Sequence, residues 1–507
     1  MKNKHRVIDF FQDSVNENPK KVAVIYGKKS INFEDLNLKS KEIAAAILSK
    51  TKSCNTPVAI FIPKSINNVA CVLGISYSRN IYMNLDTKLP FDRIKAILDN
   101  VQPSIILTDS ENISFFSSHY FIHFNIINVD ILPSENLPLE KLYKSTDTID
   151  TDPYCIINTS GSTGTPKAVV LNNLSFLDFA NWSINKFNIL DDEVIGSLSP
   201  TSFDIFSYEI LLLIFRSSTI VILQETDAAF PVRLITALKK HKVTFIFWVP
   251  TIMVNIANFD LLKNISLPNL KKIFFAGEVF PTAKFNYWYD SLPNTLFVNL
   301  YGPIEITLDC TYFIINSKIN DSEPIPIGYP CENTDILVLD DKDNLVRQGE
   351  VGELCVRGSS LALGYFNDFH RTSEAFVQNP LNTKYPELIY RTGDLVLYNI
   401  KNQLVYKGRK DSLIKHLGYR IELGEIEHVV VNDMKICLNA CALYNEKIKE
   451  ITLLYENDSI IQPKIFIEKL SKKIPKYMIP RKYIKIQALP MNNNGKVNRI
   501  ELRKFLT

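Results

Sequence analysis

Residues 154–171 read YCIINTSGSTGTPKAVVL. Two apolar runs rich in β-branched residues, 154–158 and 168–171, enclose a nine-residue stretch from Thr159 to Lys167 that is made of hydroxyl residues, glycines and a proline and closes on a lysine. Short runs of this kind, bounded by turn-forming residues, predict strands. Between them, small residues let backbone N–H groups converge on phosphate oxygens, and a lysine adds a compact positive charge. The stretch is not a Walker A loop. Counting from Gly161, Pro166 stands where that motif needs its second glycine, and a strand rather than a helix follows. Taken alone, it also reads as a bare turn between strands.

Working outward, further buried strands are expected at residues 58–62, 104–108, 219–223, 244–249 and 272–276, most of them followed by polar or helical segments. That alternation predicts α/β layers. After Pro324 the texture changes to hairpin-like pieces at 335–345, 354–357 and 395–406, which predicts a smaller β subdomain. The charged GRKD at 408–411 follows a strand, and the remainder alternates strand and helix. The expected organisation is therefore a large multi-layer core over residues 1–409 and a small α+β domain over 410–507.

At 507 residues, with 46% hydrophobic and 22% charged residues, the chain is too ordinary in composition to be disordered, collagen-like or a disulfide scaffold. A net charge of +3 does not argue for nucleic acid or a membrane surface. From Lys410 onward, however, 18 Lys and Arg face 11 Asp and Glu. That excess reads either as solvated helix faces or as a docking surface for an acidic partner. Eight cysteines, with no CxxC pair and no zinc-ligand spacing, fit a reduced cytoplasmic protein. The start, MKNKHRVIDFFQDS, lacks the apolar core of a signal peptide, and the greasy run at 210–215 is too short to span a bilayer. Only 17 glycines occur, where average usage of about 7% gives roughly twice as many. All but Gly27, Gly74 and Gly196 fall in or beside the segments quoted next.

Those segments are INFEDLNLKS from Ile31, TSGSTGTPK from Thr159, SFDIFSYE from Ser202, FAGEV from Phe275, NLYGPIE from Asn299, IGYP from Ile327, GELCVRGSSLALGY from Gly352, YRTGD from Tyr390, GRKDSLIKHLGYRIELGEIE from Gly408 and NGKVNR from Asn494. In this order, and over nearly the whole chain, they resemble the adenylate-forming superfamily: acyl-CoA synthetases, luciferases, D-alanine–carrier protein ligases and the adenylation domains of nonribosomal peptide synthetases. The amino-acid-activating branch is the most similar in texture.

The resemblance implies a two-step reaction. A carboxylate attacks the α-phosphate of ATP to give an acyl-adenylate and pyrophosphate, and a thiol then takes the acyl group. Like-charge repulsion between carboxylate and polyphosphate, about 4 kcal/mol per charge pair at about 4 Å and an effective dielectric near 20, must be cancelled by cations and aligned donors. By resemblance, Thr159, Ser160, Gly161, Ser162, Thr163, Gly164 and Lys167 form the loop over the β- and γ-phosphates. Asn299, Tyr301 and Gly302 belong to the adenine site, with Tyr301 stacking on the base, and Glu305 binds Mg2+. Asp394 holds the ribose hydroxyls, Arg409 is a neighbouring ribose or phosphate contact, and Lys496 bridges substrate carboxylate and α-phosphate. Asp411 matches a hinge about which the small mobile lid domain rotates between half-reactions, bringing Lys415 and the face of Leu417, Gly418 and Tyr419 to the thiol's path.

Substrate choice rests by resemblance on Asp204, which pairs with an α-ammonium; from the sequence alone it also reads as a cap for a helix beginning near Ile205. The resemblance makes Ile205, Tyr208, Phe247, Phe274, Ala276, Leu300, Leu308 and Asp309 the pocket, tight and mostly apolar and suited to a small or compact apolar side chain; Asp309 is the exception, favouring a basic or hydroxylated side chain if it faces the cavity and serving as a polar edge residue if it faces away. Ala276 stands where D-alanine ligases have cysteine, Ile304 replaces the usual threonine of GPTE, and Ala168 replaces the usual glycine after PK. The implied partners are an amino acid, ATP and the phosphopantetheine thiol of a separate carrier protein, with neither nucleic acid nor membrane insertion. A stand-alone enzyme is expected, since no GGxS phosphopantetheine site is visible. The competing readings are an acyl-CoA synthetase for an amino-free acid and an idle nucleotide-binding regulatory relative.

Overall fold

The computed structural model of the protein describes residues 4–117, 119–132, 148–160, 166–228, 230–410, 413–490, 497 and 499–506. Its contacts divide the chain into two compact units. The first holds Met1–Thr87, Pro103–Ile157 and Val169–Gly408; the second holds Lys88–Gln102, Asn158–Ala168 and Arg409–Thr507.

The first unit is built on two large, mainly parallel sheets. In one, six parallel strands run in the order Leu296–Tyr301, Lys272–Phe275, Phe245–Trp248, Val194–Ser197, Thr219–Ile222 and Val22–Tyr26, with antiparallel strands at both edges. The other has seven strands and includes Pro57–Phe61, Ile105–Thr108, Pro153–Thr159 and Lys167–Asn172. The strands expected from the apolar runs are therefore present, with ends shifted by a residue or two. Strands buried on both faces read as unbroken apolar runs because each face meets its own core. Phe245 and Phe247 join a core cluster with Tyr208 and Phe274, whereas the alternating Ile246 and Trp248 join a second cluster with Phe275 and Phe297. The helix Asp204–Arg216 buries ten consecutive residues, Ile205 to Ile214. The greasy run at 210–215 belongs to a helix enclosed on all sides rather than to a membrane; among the described residues no helix is long and apolar enough to cross one.

The β subdomain is a five-stranded antiparallel sheet of Thr334–Leu339, Gly352–Gly358, Leu388–Tyr398, Phe376–Gln378 and Leu404–Arg409. In the second unit, a hairpin of Leu413–His416 and Tyr419–Glu422 precedes the helix Leu423–His428 and a three-stranded sheet of Asn439–Asn445, Glu450–Glu456 and Lys482–Ile486. A buried Arg93–Glu425 ion pair and an Asp92–Lys473 pair at 2.6 Å draw the helix Phe91–Val101 into this unit. Tyr419 stacks on Tyr477 at 3.7 Å. All eight cysteines are free thiols, seven of them buried and Cys54 exposed.

Candidate active site

The strand Leu296–Tyr301 carries Asn299, Leu300 and Tyr301 to the start of a tight loop. Asn299 donates from its amide to Pro326 O at 2.8 Å. The Tyr301 hydroxyl donates to the Asp394 carboxylate, and both side chains are buried. Asp394 is fixed in turn through its own N–H, which donates to Thr392 Oγ1 at 2.9 Å, while Thr392 donates to Leu354 O at 2.7 Å. The adenine and ribose residues of the sequence reading thus stand in direct hydrogen-bond contact.

Beyond Tyr301 the chain folds back on itself. A Cβ at Gly302 would lie 2.3 Å from Leu308 O and 2.6 Å from Asp309 Cα, so the position demands glycine. A short turn, Ile304–Ile306, holds Glu305 fully buried, with its carboxylate accepting from Tyr365 Oη at 2.9 Å and its carbonyl from Ala362 N at 2.9 Å. Thr307 and Leu308 both take left-handed φ, 49° and 65°, a costly pair for residues with branched or bulky side chains and of a kind that gathers at functional sites. The reversal lets one loop carry Glu305 and then Leu308 and Asp309. Among the described residues no cluster of three His, Cys, Asp or Glu is gathered to hold a metal ion. A single buried carboxylate is nonetheless a normal protein contribution to a Mg2+ whose other ligands are substrate phosphates and water. Glu305 fits that use, and Thr307 Oγ1 beside it is buried without a partner.

The helix opens on Asp204, one residue before the start expected from the sequence. Phe203 is the N-cap and Asp204 is already the first helical residue, where the helix dipole favours an acid. Asp204 Oδ1 accepts from Ile205 N at 2.9 Å, and the residue is only half-buried. Behind it, one turn along, Tyr208 packs edge-on against Phe247 at 5.9 Å and donates to Ser183 Oγ at 3.1 Å; Phe247 in turn meets Phe274 at 6.0 Å. All three rings are 0% exposed, so no water-sized gap adjoins them. Ile205, Ala276, Leu300, Leu308 and Asp309 are also buried, at 1–6%. Burial pushes the Tyr208 hydroxyl up, with Asp309 adding to the shift and Ser183 opposing it.

In the second unit, the residues that begin the hydroxyl- and glycine-rich stretch leave polar atoms without partners. Both side-chain polar atoms of Asn158 and the hydroxyl of Thr159 are buried and unpaired, at the end of the strand Pro153–Thr159. Buried polar groups are nearly always satisfied, so these orphans call for a partner, whether water, an ion or a ligand's atoms. Ser160 Oγ donates to Arg420 O at 2.8 Å and accepts from Glu422 N at 3.0 Å, and Lys167 pairs with Glu422 at 2.5 Å. Arg409 ends the strand Leu404–Arg409; Lys415 lies on the following hairpin, with Leu417 and Gly418 at its turn, both at positive φ. Gly161, Ser162, Thr163, Gly164, Asp411 and Lys496 lie outside the described residues.

Sequence reasoning missed Tyr365 and Glu422, although both stand inside quoted segments, because a hydrogen bond to Glu305 or an ion pair to Lys167 leaves no local signal. It also missed Lys64 and Glu209, a buried pair with N–O 3.5 Å that joins distant parts of the chain.

The chain is similar to zwittermicin A synthase ZmaJ of Bacillus cereus, 28% identical over 96% of this chain and 93% of that protein. It is 30% identical to bacitracin synthase 1 of Bacillus licheniformis over 97% of this chain but only 9% of that much longer protein. Against gramicidin S synthase 1 of Brevibacillus brevis it spans 44% of the relative's length. Among solved structures, the Vibrio cholerae adenylation domain AlmE in complex with glycyl-adenosine-5'-phosphate superposes with a TM-score of 0.85 at 20% identity, over 100% of this chain and 99% of that one. The adenylation and carrier-domain protein PA1221 gives 0.80 at 21% identity, covering 99% and 84%. The family model described as AMP-binding enzyme matches residues 11–366, well over half the sequence. The chain therefore belongs to the AMP-binding enzyme family, as an adenylate-forming ligase of the nonribosomal peptide synthetase adenylation type.

Proposed function

We propose that the chain activates a small α-amino acid as its aminoacyl-AMP and passes it to the phosphopantetheine thiol of a separate carrier protein. The observation that carries this reading is Asp204: a half-buried carboxylate at a helix start, backed by three rings that leave no space behind it. A carboxylate there pairs with an α-ammonium, and the closed wall rejects side chains much larger than a methyl group by overpacking.

On this reading Asp394 accepts from the ribose hydroxyls, an acceptor-only role suited to a carboxylate, and Tyr301 supplies a ring for the base. Lys167, Ser160 and Thr159 meet the phosphates and offset their charge. Glu305 contributes the protein ligand to Mg2+, which when bound neutralises phosphate charge. Lys496 bridges the substrate carboxylate and the α-phosphate. Arg409 meets the ribose or a phosphate; residues 1–409 form the core and 410–507 the lid, hinged at Asp411, with Lys415 and Gly418 serving the second half-reaction. The basic excess after Lys410 supplies a face for an acidic carrier.

The deciding experiment is ATP–pyrophosphate exchange with each L- and D-amino acid and with simple amino-free acids. Glycine or alanine is expected to give the largest signal, and leucine and phenylalanine none. Exchange only with amino-free acids, with CoA as the competent thiol, overturns the amino-acid reading. Charge reversal at several lysines beyond residue 410 is expected to slow carrier loading and spare adenylate formation.

A further inference from the structure

Below the helix that carries Asp204 lies a charged group that the proposed chemistry does not use. Lys64 follows the strand Pro57–Phe61, and its side chain is 6% exposed. Its ammonium donates to Ser199 O at 2.6 Å, stands 3.5 Å from Glu209 Oε2, and lies 4.9 Å from the centre of the Phe206 ring. Glu209 is fully buried, and its other partner is the hydroxyl of Ser197.

Burying a lysine and a glutamate is expensive, and an apolar pair of similar volume is often as stable, so the pair is best explained by the geometry it fixes. That geometry is specific. Ser197 ends the strand Val194–Ser197, Ser199 begins the turn that leads to the helix, and Phe206 and Glu209 lie on the first turns of the helix itself. Lys64 thus grips the chain before Asp204 through a carbonyl and after it through a carboxylate and a ring face. Among the described backbone groups this approach also carries the short-range bonds Phe203 N to Pro200 O at 3.1 Å and Phe206 N to Phe203 O at 3.2 Å, and Leu223 N donates to Ser197 O at 3.0 Å.

We propose that Lys64 is a positioning residue for amino-acid recognition, holding the turn into Asp204 and the helix out of it so that the Asp204 carboxylate meets the α-ammonium at a fixed place. The inference rests on the reading of Asp204 given above, and it adds a residue that touches neither substrate.

The test is pyrophosphate exchange with amino acid and ATP titrated separately, using the full chain as wild type, Lys64→Met, Lys64→Arg and Glu209→Gln. Lys64→Met is expected to raise KM for the amino acid about tenfold or more while KM for ATP and kcat stay within about twofold. Lys64→Arg is expected to restore most of the loss, because it keeps a donor for Ser199 O and a charge for Glu209. An unchanged amino-acid KM, or a fall in all constants together, overturns the proposal. Should Lys64→Met prove insoluble, Glu209→Gln decides: it keeps the shape of the side chain, and a rise confined to amino-acid KM is expected, whereas no rise overturns the idea. Wild-type exchange restricted to amino-free acids removes the Asp204 reading and this inference together; wild-type amino-acid exchange with an indifferent Lys64→Met removes this inference alone.

Discussion

The wall around Asp204 and the wall around Asp394 are built of opposite materials within one unit. Behind Asp204 stand Tyr208, Phe247 and Phe274, rings in edge-to-face contact with no exposed surface. Around Asp394 stand Tyr301 and Thr392, joined to it by hydrogen bonds, and the loop that follows Tyr301 carries Glu305, bonded in turn to Tyr365. The first wall discriminates by excluded volume and so tolerates exchange of one apolar group for another while remaining sensitive to size. The second discriminates by satisfied polar groups and so tolerates small changes of size poorly matched by any change of chemistry.

Four substitutions break or sharpen that contrast. Removing the charge at the mouth of the hydrocarbon wall has the largest effect: Asp204→Ala should lower amino-acid-dependent exchange about a hundredfold or more, since an ammonium left without its carboxylate costs about 3–5 kcal/mol. Near-normal exchange by this variant would mean that the wall recognises no ammonium. In the polar wall, Asp394→Asn should raise KM for ATP about 10- to 100-fold, the worth of a hydrogen bond to a charged group, and leave KM for the amino acid alone; equal rises in both would erase the distinction. Gly302→Ala acts where the two walls share a loop. Its Cβ would sit against Leu308 O and Asp309 Cα, so a loss of about 1–3 kcal/mol in urea unfolding is expected, together with weaker binding of both substrates. The gentlest change is Phe247→Leu, which should admit a side chain one or two carbons larger with a gain of about tenfold in its exchange, read as a ratio against glycine.

Much of the fold was legible because buried parallel strands announce themselves as short apolar runs, as at residues 245–248 and 272–275. The start of the helix at Asp204 was legible within one residue, and the hydroxyl-rich loop stood out because so few glycines occur elsewhere. Other features were invisible for a physical reason. The Lys64–Glu209 pair, the Tyr365–Glu305 hydrogen bond and the Lys167–Glu422 pair join residues far apart in sequence, and each partner alone looks like an ordinary polar side chain. The consecutive left-handed residues Thr307 and Leu308 carry no glycine or asparagine to betray them. Their conformation accompanies the close approach of Leu308 O to Gly302, a long-range feature that neither residue's own preference signals.

The cysteines give the molecule an internal gauge of its own integrity. With Cys54 exposed and the other seven enclosed, a colorimetric thiol reagent should titrate one equivalent in the native state and eight in denaturant. Burial also pushes the thiols of Cys437 and Cys441 up to about 11 and about 12, which slows their reaction further while the second unit stays folded. Partial values then report which region has opened: three equivalents would signal loss of the C-terminal sheet with the two large sheets intact, a readout that requires no label, no engineered residue and no substrate.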